Sequence, residues 1–187
     1  RSLILSLREL ATSNLTTLIE RDLSEDPIPA GESRDIATDL LLRECAYVVQ
    51  GLGQEARGGA VSDPDIRLRL KRVISLSEAS EVEINRTLEG TVHHQFAGPH
   101  HLATLLSRLV DGMQAAMLVR LPTPAGAQAK AWADWLLSQT RARPFLWINH
   151  QKAVRSGYLN SGMSMVMTSP TGSGKTTLSV LKIAATL

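Results

Sequence analysis

Met163-Ser164-Met165-Val166-Met167-Thr168 runs straight into Ser169-Pro170-Thr171-Gly172-Ser173-Gly174-Lys175-Thr176-Thr177. The first six residues are an apolar run of the length of a buried parallel strand. Two closely spaced glycines follow, and from Lys175 to Ala184 apolar residues recur at helical spacing. Strand, glycine loop and helix in that order is the context in which a backbone can wrap phosphate oxygens. The amides must point inward there, which crowds out Cβ atoms, and glycine at 172 and 174 relieves that crowding. The helix that follows aims its unsatisfied amides and positive dipole end at the same oxygens. Thr171, Gly172, Ser173, Gly174, Lys175, Thr176 and Thr177 are the candidate binding residues. Lys175 and Thr176 are also the catalytic candidates: the ammonium for the β- and γ-phosphates, the hydroxyl as the Mg²⁺ ligand. The expected cofactors are ATP and Mg.

The strict form of this pattern begins with glycine, where this chain has Ser169. The string Ser-Pro-Thr-Gly-Ser-Gly-Lys-Thr-Thr resembles motif I of superfamily 2 helicases, in which a small residue followed by Pro-Thr-Gly replaces the first glycine. Upstream, Asn149-His150-Gln151-Lys152-Ala153, then Gly162 and the apolar run, looks like the Q-motif helix of that family. The spacing of Trp147, Gln151, Ala153, Gly157, Leu159 and Gly162 is most similar to the Ski2-like group. The resemblance implies that Gln151 reads the adenine edge. Phe145 and Trp147 are candidates for flanking the base, against the plainer reading that both pack in the core. A Ski2-like segment after a long helical region is also similar to the helicase subunits of bacterial antiviral defence systems such as Hachiman.

The resemblance spans only residues 144–187. The family's Asp-Glu box, coupling motif and arginine finger lie beyond motif I, and none occurs here. The chain starts with Arg1 and stops at Leu187 inside a helix, and a phosphate-loop domain needs further βα units to cover a sheet on both faces. The sequence therefore reads as a piece of a larger enzyme, inactive in hydrolysis by itself.

Before Pro144 the pattern is helix after helix. Leu3, Leu7, Leu10, Leu15, Leu18 and Ile19 recur at spacings near three and four until Pro27 and Pro29. Ser33 offers a cap for a helix over 34–50, and Gly51, Gly53, Gly58 and Gly59 mark a flexible connection. Ser62-Asp63-Pro64 starts another over about 65–89, with a break expected near 76–80. Helices over 101–121 and 125–139 follow. The expected fold class is an all-α N-terminal region, 1–143, followed by the first βα unit of a RecA-like α/β P-loop domain, 144–187, incomplete.

The composition sets outer bounds. Hydrophobic residues make up 43% and charged residues 20%, and no apolar stretch is long enough to span a bilayer. No secretory layout opens the chain, so the expectation is a cytoplasmic protein without a membrane partner. Cys45 is the sole cysteine, which rules out an intrachain disulfide, and its apolar helical setting reads as a buried small hydrophobe. A net charge of +2 does not announce nucleic-acid binding, although Arg67, Arg69, Lys71 and Arg72 cluster, as do Arg141, Arg143, Lys152 and Arg155. His93, His94, His100 and His101 could gather zinc, but no carboxylate lies among them and Gly98-Pro99 interrupts them, so helix capping and surface hydrogen bonding explain them better. Trp132 and Trp135, three apart, read as packing rather than as base-stacking platforms.

Two classes of function emerge. One is an ATP-dependent helicase or translocase with a nucleic-acid partner, DNA ahead of RNA. The other is a nucleotide-dependent switch or scaffold whose helical region docks a protein partner such as a nuclease.

Overall fold

Backbone hydrogen bonds decide which apolar runs become elements, and here they are almost all helical. The computed structural model describes residues 2–25, 27, 30–60, 66–78, 95–168, 170, 172 and 174–186. Among these residues the α-helices are α1 (Ser2–Ala11), α2 (Leu15–Glu20), α3 (Ser33–Ala56), α4 (Ile66–Ser77), α5 (Ala97–Ala116), α6 (Ala129–Gln139), α7 (Ile148–Arg155) and α8 (Lys175–Thr186). A 3₁₀ turn, Leu118–Arg120, follows α5. The chain forms two compact units: 1–55 with 59–112, and 56–58 with 113–187. This division by chain contact lies at 112/113, whereas the 143/144 boundary marks the change of sequence pattern at Pro144.

In the first unit, α1 ends where Ser13 adopts a left-handed φ of 57°. The Asn14 amide then returns to the Glu9 carbonyl at 2.8 Å and the Ser13 amide to Leu10 at 3.1 Å. This closure satisfies the last carbonyls and splits the leucine repeat into two helices. The repeat still faces inward, with Leu3, Leu10, Leu15 and Leu18 buried.

Helix α3 differs from its sequence reading. It passes through Gly51 and Gly53 and ends at Ala56, with Leu52 fully buried between the glycines. Glycine is there for close approach rather than for flexibility: a Cβ on Gly53 would lie 2.7 Å from Leu18 Cδ2 of α2. One turn earlier the Gln50 side-chain nitrogen lies 3.1 Å from the Leu18 carbonyl, 3.1 Å from Ile19 and 2.7 Å from Arg21. That amide caps the end of α2, whose final carbonyls have no partner within the helix. Helix α4 ends at Ser77, inside the stretch where a break was expected. The Ser62-Asp63-Pro64 start and the continuation over 79–89 lie outside the described residues.

The second unit is built around α6 and α8. Leu178, Leu181 and Ala185, at helical spacing on α8, are buried in one cluster with Trp132 and Leu136 of α6 and with Leu118, Leu146 and Leu159. Each fully buried leucine contributes about 1.5–3 kcal/mol of transfer free energy. Trp132 and Trp135 stack with ring centroids 5.5 Å apart, inside and beside this cluster, so the packing role is the one observed. The Leu146 amide donates to the Ala116 carbonyl at 2.7 Å and the Leu118 amide to Pro144 at 2.9 Å. These bonds frame an isolated antiparallel bridge, Met117 to Phe145.

The expected RecA-like βα unit is not there. Among the described residues no β-strand forms, and 163–168 carries no regular secondary structure. Val166 is 92% exposed, and Met163 and Met165 are exposed as well. The physical reason is that a strand exists only as one member of a ladder, and no described segment supplies the carbonyls and amides that 163–168 would need. An apolar run of six is necessary for a buried strand but not sufficient for one.

Candidate functional site

The glycine loop meets α8 with the backbone geometry that its spacing demands. Gly172 and Gly174 have φ of 80° and 78°, in the left-handed region that side-chain-bearing residues rarely adopt. Helix α8 begins at Lys175, and the Gly174 carbonyl accepts from the Thr177 amide at 3.0 Å. Gly174 thus stands at the cap position, with Lys175 and Thr176 in the first turn, where helical amides face away from the helix body. Both side chains are exposed, and Thr177 is half-buried. Thr171 and Ser173, expected to contribute to phosphate binding, lie outside the described residues, as does Ser169.

Two neighbours that spacing did not reveal support this loop. The first is His150 of α7, only 3% exposed, whose ring lies directly over Gly174. A Cβ at 174 would fall 2.3 Å from His150 Nε2 and 2.6 Å from Cε1. Glycine at 174 is therefore required twice, once by its dihedral and once by the imidazole. At 172 the corresponding direction is open, with nothing within 4 Å, so only the dihedral demands glycine. The second neighbour is Arg143, whose Nη1 donates to the Thr177 hydroxyl at 2.9 Å. The chain on either side of Arg143 is held by its own amide bond to Gln139, 3.0 Å, and by the Pro144 carbonyl bond. Only the fold brings residue 143 to the first turn of α8, so no local motif could have signalled it.

Helix α7 places the other candidates. Gln151 Nε2 donates to the Leu146 carbonyl at 3.1 Å, so the carboxamide turns back on the segment that leads into its own helix. Trp147 caps α7 and is 57% exposed, with one face stacked on His150 at 5.6 Å and 3°. It is not a core residue; Phe145 is half-buried at the bridge. The fold brings together Trp147, His150, Gly174, Lys175, Thr177 and Arg143 through α7 and α8.

The electrostatics of this region are one-sided. From Trp135 to Leu187 the sequence holds Arg141, Arg143, Lys152, Arg155, Lys175 and Lys182 and not one Asp or Glu. Among the described residues neither Arg143 nor Lys175 makes an ion pair. An exposed ammonium and a hydroxyl at the positive end of a helix form a donor set for phosphate oxygens and for a hard cation bridging them. Such a set fits a magnesium–triphosphate, and no carboxylate in the segment stands ready to activate water.

Elsewhere, no group of three or more His, Cys, Asp or Glu able to hold a metal occurs among the described residues. His100 and His101 lie in α5, while His93 and His94 are outside the described residues. No described helix is long and apolar enough to cross a membrane. Comparison with protein-family models, curated proteins and solved structures returned no match.

Proposed function

We propose that this chain carries the triphosphate-binding loop of an ATP-dependent nucleic-acid helicase or translocase. The observation that carries the reading is the pair of left-handed glycines, 172 and 174, opening onto a helix whose first residues are Lys175 and Thr176. Lys175 holds the outer phosphates by charge, Thr176 supplies a hydroxyl to magnesium, and the first amides of α8 orient the phosphate chain. When bound, magnesium neutralises charge on the phosphate oxygens. In this reading the base is met by Gln151, as the resemblance implies, and by Trp147, which is 57% exposed. The water-activating acid must come from outside residues 135–187, which contain none.

A second reading, a nucleotide-dependent switch that docks a protein partner, draws support from exposed leucines in the first unit: Leu68 and Leu76 on α4, Leu105 and Leu109 on α5. ATP hydrolysis by the longest natural polypeptide containing this sequence separates the two. Single-stranded DNA or RNA should stimulate hydrolysis, and Lys175→Ala should lower it by about 100-fold or more. Hydrolysis indifferent to every nucleic acid would overturn the helicase reading and favour the switch.

A further inference from the structure

We infer that Arg143 is a second cation of the triphosphate site, held beside α8 by Thr177 and directed at a phosphate oxygen there. The inference rests on the ATP-binding reading above and adds a residue to it.

Three observations converge. Arg143 is exposed and donates one N–H, from Nη1, to the Thr177 hydroxyl at 2.9 Å. A guanidinium carries five donors in a fixed fork, so one bond to Thr177 orients the group while leaving most of its donors for a ligand. Next, this cation has no internal counter-ion: no described carboxylate pairs with it, and the sequence from 135 onward holds none. Helix α8 also turns its positive end toward the same place, and Lys175 adds another charge. Two unpaired cations and a helix N-terminus repel one another unless an anion joins them. Finally, the arginine is anchored at its root. The Arg143 amide bonds to Gln139, and the next carbonyl, of Pro144, accepts from Leu118. The guanidinium therefore approaches the first turn of α8 from a fixed point, and a planar fork so placed suits a phosphate, to which it can make two parallel bonds.

The test is equilibrium binding of Mg-ATP to the 187-residue chain, followed with a fluorescent ATP analogue and by competition with ATP and with inorganic tripolyphosphate. Arg143→Ala should weaken ATP and tripolyphosphate alike, by about tenfold, because the lost contact is to phosphate and not to the base. Arg143→Lys should restore part of the affinity by returning charge without the fork. Arg143→Gln keeps a polar, uncharged side chain and removes the charge, so it should bind as weakly as the alanine variant. Unchanged affinity in Arg143→Gln overturns the inference, whatever happens to the alanine variant's stability. Failure of the underlying reading looks different: the wild type would then bind no better than Lys175→Ala. Wild-type binding that Lys175→Ala abolishes and Arg143→Gln leaves intact would remove Arg143 alone.

Discussion

Cys45 illustrates what burial does to one side chain. Its sulfur is fully enclosed in α3, and desolvation, with a smaller push from the Glu44 carboxylate, raises its pKa from the ordinary 9.0 to about 11. The folded chain therefore prefers the neutral thiol. The associated stability is complete below pH 9 and is lost as pH rises through about 11. The stability advantage of the wild type over Cys45→Ala should shrink by about 2 kcal/mol between pH 8 and 11, measured by urea unfolding. A difference that stays constant across that range would show that the thiol is not desolvated. Two buried hydroxyls are satisfied locally: that of Ser77 donates to Ile74 at 3.0 Å, and that of Thr140 to Leu137 at 2.8 Å.

At the scale of elements, the glycine loop and α7 form one mechanical unit because His150 rests on Gly174. The two glycines should respond differently to alanine. Gly172→Ala meets open space and carries only the dihedral penalty, about 1–2 kcal/mol. Gly174→Ala carries that penalty and a collision with the ring, so it should melt at a lower temperature than Gly172→Ala. Adding His150→Ala to Gly174→Ala should recover part of the loss, and thermal melting of the three variants checks this. Equal melting of the two single variants would mean that the ring moves aside freely.

How legible these elements are depends on what holds them. Helices α5, α6 and α8 follow from apolar spacing because a helix closes its own hydrogen bonds. The left-handed glycines are legible because their dihedrals are a local property. The expected strand over 163–168 is not, because strand formation belongs to a ladder and not to one run of residues. Gly53 misleads for a related reason: whether it frees the chain or admits a neighbour depends on Leu18, which is over thirty residues away. The same holds for His150 and Arg143, whose roles come from tertiary adjacency. Gln50, capping a helix that ended thirty residues earlier, is a third case.

Over the whole molecule, a net charge of +2 conceals two opposite halves. Residues 113–187 carry eight Lys and Arg against Asp134 alone, while residues 1–112 carry twelve against seventeen Asp and Glu. Opposite charges of this size act over about 10 Å at 0.1 M salt and farther in dilute buffer. Copies of the chain should therefore associate at low ionic strength and separate as salt is added, a trend that light scattering over a sodium chloride series would follow. Association that is indifferent to salt would point to the exposed leucines instead. The run at 163–167 has a chemical consequence of its own. Met163 and Met165 are 46% and 37% exposed, whereas Met117 is only 1% exposed. Peroxide would reach the outer pair first, and each sulfoxide would place a polar, chiral group where an apolar one stood. Just upstream of the glycine loop, the chain thus carries an oxidation-sensitive stretch that repair by a sulfoxide reductase could reverse.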